Sequence, residues 1–278
     1  MFKTASLHSF INFATRIRKK GFNMQVFEED IKAGLKALGL RKGDCVGVHS
    51  SLSSFGVVEG GADTVIDALL ETVGETGTVV MPTHSNNLAK VELTSEEIAI
   101  GVSWLFKIMP YDPKETPCTT GVIPETFRKR NGVVRSLHPS LSIAAKGPRA
   151  KEIVETQSGR SLDGWKRMLE LDGYVLLMGV GLRVCTAMHL AESRVQFPEH
   201  ILKKITPPKW FFEKYPENEW EWDVGPYPDF AKLEEPCLKY GIMKTAKVGE
   251  ATLKLVKLRK LVDLYTEYLK INPDPFYA

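Results

Sequence analysis

The amino-acid sequence predicts an α/β protein on a partly parallel sheet, and three observations predict it. Apolar strand-like runs alternate with segments of helical periodicity, those runs end in polar loops, and their spacing suits helical crossovers. "FEEDIKAGLKALGLRKGD" sets Ile31, Leu35 and Leu38 at helical spacing and closes on glycine-punctuated sequence. "CVGVHSSL" follows as a short buried strand entering a polar loop. "GADTVIDALLETVG" is the next helix, with Asp63 or Thr64 to cap it and Gly74 to stop it, and "GTVVMPTHS" is the strand after it. Strand, helix and strand at this length form a βαβ unit. "GVIPETFRKRNG" reads as a helix beginning near Pro124 and stopping at Asn131 and Gly132. "LSIAAKG" and "YVLLMGVG" read as strands with the helix "PRAKEIVETQ" between them. From about Pro207 to Pro228, prolines, aromatics and acids break the alternation, as a hairpin insertion or a substrate loop would.

Composition narrows the class. The chain has 278 residues, 43% hydrophobic and 26% charged, with a net charge of +3, which fits a soluble globular protein and is too mildly basic to point to nucleic acid. No apolar run is long enough to span a bilayer, so no membrane partner is expected. The basic cluster "RIRKK", Arg16 to Lys20, reads as a solvated helix face in an N-terminal extension over 1–24. That extension has its charges after the apolar part, unlike a secretory leader. Cys45, Cys118, Cys185 and Cys237 are scattered, with no C-x-x-C pair, and read as small core residues of a reduced, cytoplasmic protein.

Ligands of open α/β sheets gather at the carboxyl ends of strands. Three polar clusters follow predicted strands here: "HSSLSSFG", "PTHSNN" and "GVGLRVCTAMHLAE". The sequence lacks G-x-G-x-x-G, the P-loop and the G-x-S-x-G nucleophile elbow, which removes support for dinucleotide enzymes, P-loop NTPases and typical α/β-hydrolases. "CTAMHLAE" admits three readings. Cys185, His189 and Glu192 fall near one α-helical face, but no second ligand cluster completes a metal site, and no metal is expected. As plain core, Thr186 would cap a helix that buries His189. As a catalytic element, His189 is a general base at a helix start after a glycine-rich turn, a place suited to negative charge. Glu221 and Asp223, alternating with Trp220 and Trp222, would share one strand face and supply a carboxylate to orient it; a solvent-facing edge is the alternative.

The order of motifs resembles the aminoglycoside 3-N-acetyltransferases, the antibiotic N-acetyltransferase family. The resemblance is carried by "LGLRKGDCVGVHSSLSSFGVVEGGADTVIDALLETVGETGTVVMPT", "TTGVIPETFRKRNGVVRSLHPSLSIAAKGPRA" and "LDGYVLLMGVGLRVCTAMHLAE", which span about Leu38 to Glu192. They include H-P-x-x-S at His138 to Ser142 and T-x-x-H-x-A-E at Thr186 to Glu192. The resemblance implies a single-domain α/β/α sandwich over 1–278 with a mixed, partly parallel central sheet, unlike the larger acetyltransferase superfamily. It implies acetyl transfer from acetyl-CoA to an amine, the 3-amino group of an aminoglycoside, by a monomer or homodimer. His189 matches the family's catalytic histidine and Thr186 the threonine beside the reacting carbonyl. Glu221 and Asp223 match an acidic pair that orients the histidine. His49, Ser50 and Ser51, with the loop of Thr120, Gly121, Val122, Ile123 and Pro124, match the coenzyme A contacts. Thr83, Ser85 and Glu192 are candidates to contact the acceptor.

Two departures bear on the acceptor. A polycationic sugar favours an acidic cleft, whereas this chain is slightly basic, and "HSNNLAK" after "MPT" lacks a carboxylate. Acids do appear in "FEKYPENEWEWD". The alternatives are therefore acetylation of a biosynthetic amino sugar or other small amine and, in a different class, a non-catalytic coenzyme A-binding relative.

Overall fold

The computed structural model describes residues 25–85, 94–99, 102–103, 111–157, 162–206, 208–214, 223–224 and 226–278. The basic N-terminal segment and most of 207–228 lie outside the described residues. Seven strands form the main sheet: β1 (Cys45–Ser50), β2 (Thr78–Pro82), β3 (Val134–Arg135), β4 (Ile143–Lys146), β5 (Tyr174–Met178), β6 (Met243–Val248) and β7 (Ala251–Lys257). Their order is β6-β7-β5-β1-β2-β4-β3. β5, β1 and β2 run parallel, while β7, β6, β4 and β3 extend the sheet by antiparallel pairing. The sheet is mixed with a parallel centre.

Period-two alternation sends the strands' side chains to opposite cores. Val46, Val48, Val79, Met81, Leu176 and Met178 join one cluster with α1 (Glu28–Leu38), α2 (Ala62–Val73) and α3 (Val122–Arg128). Val80, Val175 and Leu177 join another with α4 (Ala150–Thr156), α5 (Asp163–Glu170), the segment Thr186–Arg194 and α6 (Leu258–Ile271). The result is an α/β/α sandwich. Burying a Leu, Val or Phe side chain in either core contributes about 1.5–3 kcal/mol.

The helices follow their sequence signals with local differences. Gly39, at φ +93°, ends α1 in the left-handed conformation that glycine adopts without Cβ strain. α2 starts one residue before Asp63, with Gly61 at its cap, and the Thr64 hydroxyl donates instead to the Glu59 carbonyl at 2.5 Å. α3 runs from Val122 to Arg128, so Pro124 lies in its first turn, where the missing N–H costs no helical bond. The single helix expected before β5 is two, α4 and α5. H-P-x-x-S shapes the β3–β4 connection: His138 Nδ1 accepts from the Leu141 amide at 2.9 Å, and the Ser142 hydroxyl donates to the Thr83 carbonyl at 2.7 Å.

Candidate active site

The carboxyl ends of β1, β2 and β5 open onto one cavity of about 330 Å³. His49 and Ser50 line it from β1, Pro82 and His84 from β2 and its extension, and Val180, Arg183, Thr186 and His189 from the chain after β5. Val184, Thr120, Pro124 and Phe230 complete the wall. The three polar loops therefore converge. A second cavity of about 650 Å³ shares Ser50 and Thr120 with the first and is lined by Ser51, Gly121 and Val122 among others.

Thr186–Arg194 is a 3-10 helix, not the α-helix that the spacing suggested. At three residues per turn, side chains at i and i+3 eclipse, so Thr186, His189 and Glu192 stack along one side. Ala187, Met188, Leu190 and Ala191 are buried in the core, which fixes the turn of the helix. Cys185 is fully buried there, and burial pushes its thiol up to about 12. It does not share the face of His189 and Glu192.

His189 Nδ1 lies 3.1 Å from both carboxylate oxygens of Glu192. A carboxylate only accepts, so Nδ1 carries a proton, and in the neutral ring the lone pair is then on Nε2. Phe230 meets the imidazole edge-on at 4.8 Å, and Tyr265 meets Phe230 at 5.4 Å. The buried Tyr265 and Tyr277 bring their hydroxyls into the field of Glu192; burial first, and then that carboxylate, raises both pKa values, so both stay protonated.

The approach to this segment is held from a distance. Glu234 Oε1 accepts from the Leu182 amide at 2.7 Å, and its other oxygen pairs with Lys254 of β7. Ser54 Oγ donates to the Gly179 carbonyl at 2.8 Å, tying the loop after β1 to the loop after β5. Below the cavity, Trp165 of α5 stacks on His49 with centroids 5.5 Å apart and planes at 15°. A Cβ on Gly47 would sit 2.6 Å from Trp165 Cζ3, so only glycine lets the indole lie against β1. Desolvation lowers the pKa of His49 to about 4, so it is neutral at physiological pH.

Thr83 and Ser85 are buried away from the cavity. Thr83 Oγ1 lies 3.1 Å from Ser142 Oγ, and Arg135 reaches the Thr83 carbonyl at 2.7 Å and Ser85 Oγ at 3.2 Å. His84, between them, takes the cavity position, because alternation along β2 carries it to the face of His189. Ile123 is buried in the core against α2 rather than in either cavity wall. Glu192 meets His189 and is not among the residues that line the cavity. The Asp223 backbone pairs with Ser103, whereas its side chain and Glu221 lie outside the described residues. Sequence reasoning missed His84, Glu234 and Phe230. Strand parity would have found the first; the other two reach the site only through the tertiary fold.

A cleft at the carboxyl ends of parallel strands, with a carboxylate-paired histidine in its wall, is what a small-molecule enzyme of the α/β class presents. A family model described as aminoglycoside 3-N-acetyltransferase matches residues 48–270, and the chain belongs to that family. It is 35% identical over 260 residues to the SPbeta prophage-derived aminoglycoside N(3')-acetyltransferase-like protein YokD of Bacillus subtilis, covering 89% of this chain and 93% of that protein. The crystal structure of a mutant of aminoglycoside acetyltransferase AAC(3)-IVa in complex with a gentamicin is similar at a TM-score of 0.73 and 26% identity, covering 92% of this chain and 93% of the other. The structure of AAC-IIIb binary with CoASH shares the fold at a TM-score of 0.68 and 23% identity, covering 89% and 97% of the two chains.

Proposed function

We propose that this enzyme transfers an acetyl group from acetyl-CoA to an amine of an aminoglycoside, the 3-amino group, with His189 as the base. The observation that carries the reading is His189, paired through Nδ1 with Glu192, in the wall of a cavity that adjoins a second groove through Ser50 and Thr120. Acetyl-CoA supplies the activated acyl group. Ser51, Thr120, Gly121 and Val122 would hold its coenzyme portion along the groove, and the buried Ser50 Oγ offers a polar atom on a residue shared by the two cavities. The CoASH of AAC-IIIb and the gentamicin of AAC(3)-IVa support the pairing of co-substrate and acceptor.

An ammonium has no lone pair, so the acceptor nitrogen must lose a proton to attack. His189 Nε2 takes it, while Glu192 holds the tautomer and stabilises the imidazolium. The Thr186 hydroxyl, one 3-10 turn earlier, donates to the carbonyl oxygen as negative charge develops. Glu192 supplies an orienting carboxylate, the role that the resemblance also gives to Glu221 and Asp223.

A second reading keeps the chemistry and changes the acceptor to an amino sugar or other small amine. Among the described residues no carboxylate lines the cavity, whereas Arg183 does, paired with Asp229 at 3.3 Å. Thiol release from acetyl-CoA across a panel of aminoglycosides and simple amino sugars decides between them.

A further inference from the structure

Three residues that line the first cavity each carry a buried polar atom without a hydrogen-bond partner in the protein: His49 Nε2, Ser50 Oγ and His84 Nε2. Buried polar atoms in folded proteins are nearly always paired, so three orphans around one space mark where a ligand's polar atoms belong. His84 stands on the cavity face of the β2 extension, with Thr83 and Ser85 on the opposite side anchored by Arg135.

The surroundings of His84 select the kind of atom it meets. Burial, then His49, His138 and Arg135, oppose a proton on the ring and hold its pKa at about 3. A neutral imidazole beside a partly buried guanidinium is a poor seat for an ammonium. It is a good donor to an oxygen that gains negative charge, because its N–H is in place before the charge appears and no proton has to leave.

We propose that His84 is a catalytic residue whose Nε2–H, together with the hydroxyls of Ser50 and Thr186, hydrogen-bonds the carbonyl oxygen of the acyl thioester. As the amine nitrogen bonds to the carbonyl carbon, the C=O π pair moves onto that oxygen. It returns as the C–S bond breaks and the sulfur leaves with its electron pair. His84 keeps its proton throughout. This role rests on acyl transfer taking place in this cavity but is independent of which amine is the acceptor.

The test combines rates with a direct view of the carbonyl. In His84→Ala, kcat should fall about 10²–10³-fold with both KM values nearly unchanged, and His84→Gln, which keeps an N–H donor, should recover part of the loss. Infrared difference spectra of acetyl-CoA labelled with carbon-13 at the carbonyl should show its stretch lowered on binding to the unmodified protein and to His189→Ala, and lowered less on binding to His84→Ala. His84→Phe, which fills the space without a donor, serves if the alanine variant does not fold. Binding with no His84-dependent shift, or a loss confined to the amine's KM, overturns the role of His84 alone. Failure of acetyl-CoA to bind overturns the acyl-transfer reading as well.

Discussion

Both carboxylate oxygens of Glu192 lie 3.1 Å from Nδ1 of His189, one 3-10 turn away on the same helix. The pair is local in sequence, so it forms wherever that short helix forms. Its orientation is set by the four apolar residues that the helix buries and by the edge of Phe230.

Replacing Glu192 by glutamine keeps the shape but presents an N–H to Nδ1, which favours the wrong tautomer. Turnover in Glu192→Gln should fall about 10²-fold or more with the thermal midpoint nearly unchanged. Steady-state rates beside a melting curve check both parts, and an unchanged kcat would remove Glu192 from the mechanism.

Thr186 supplies a hydroxyl and little else to the cavity wall. Thr186→Val keeps the shape and should lower kcat about 10²-fold, whereas Thr186→Ser should retain most activity. Equal rates for the two variants would show that the hydroxyl does not contact the reacting oxygen.

The neutral histidines make the fold sensitive to acid. His49 and His84 have folded pKa values of about 4 and about 3, below the ordinary value of 6.5. Above 6.5 neither the folded nor the unfolded chain binds these protons. As pH falls below 6.5 the unfolded chain takes up two protons that the folded chain refuses, so stability is lost progressively down to about pH 4 through His49 and about pH 3 through His84. Thermal midpoints across that window should drop, and His84→Asn should make the slope shallower. An equal slope in the variant would show that His84 titrates normally.

Gly47 is required by Trp165. Gly47→Ala should destabilise the fold by about 1–3 kcal/mol, because the methyl group would displace the indole that stacks on His49. Urea unfolding measures the cost, and a midpoint equal to that of the unmodified protein would show that Trp165 moves aside freely.

Much of this was legible in the sequence. The βαβ order, the parallel pair β1 and β2, and the convergence of three loops follow from alternation and turn residues. Residue type and a family resemblance together pointed to Thr186 and His189. The helix type was not legible: "TAMHLAESR" fits 3.6 or 3.0 residues per turn, and that choice decides whether Cys185 or Thr186 shares a face with His189. Thr83 and Ser85 come from the right loop but face away from the cavity, and the residue between them that lines it is His84. Glu234 acts from 52 positions beyond Leu182, through a contact made only when β7 pairs with β5.

The central claim is that His189 accepts the proton of an amine during acetyl transfer from acetyl-CoA. The most direct test is thiol release from acetyl-CoA with a panel of aminoglycosides and simple amino sugars, run beside folded His189→Ala. The account predicts release with an aminoglycoside, reduced about 10²–10⁴-fold in the variant. Release that persists undiminished in His189→Ala, or no release with any amine, would contradict it.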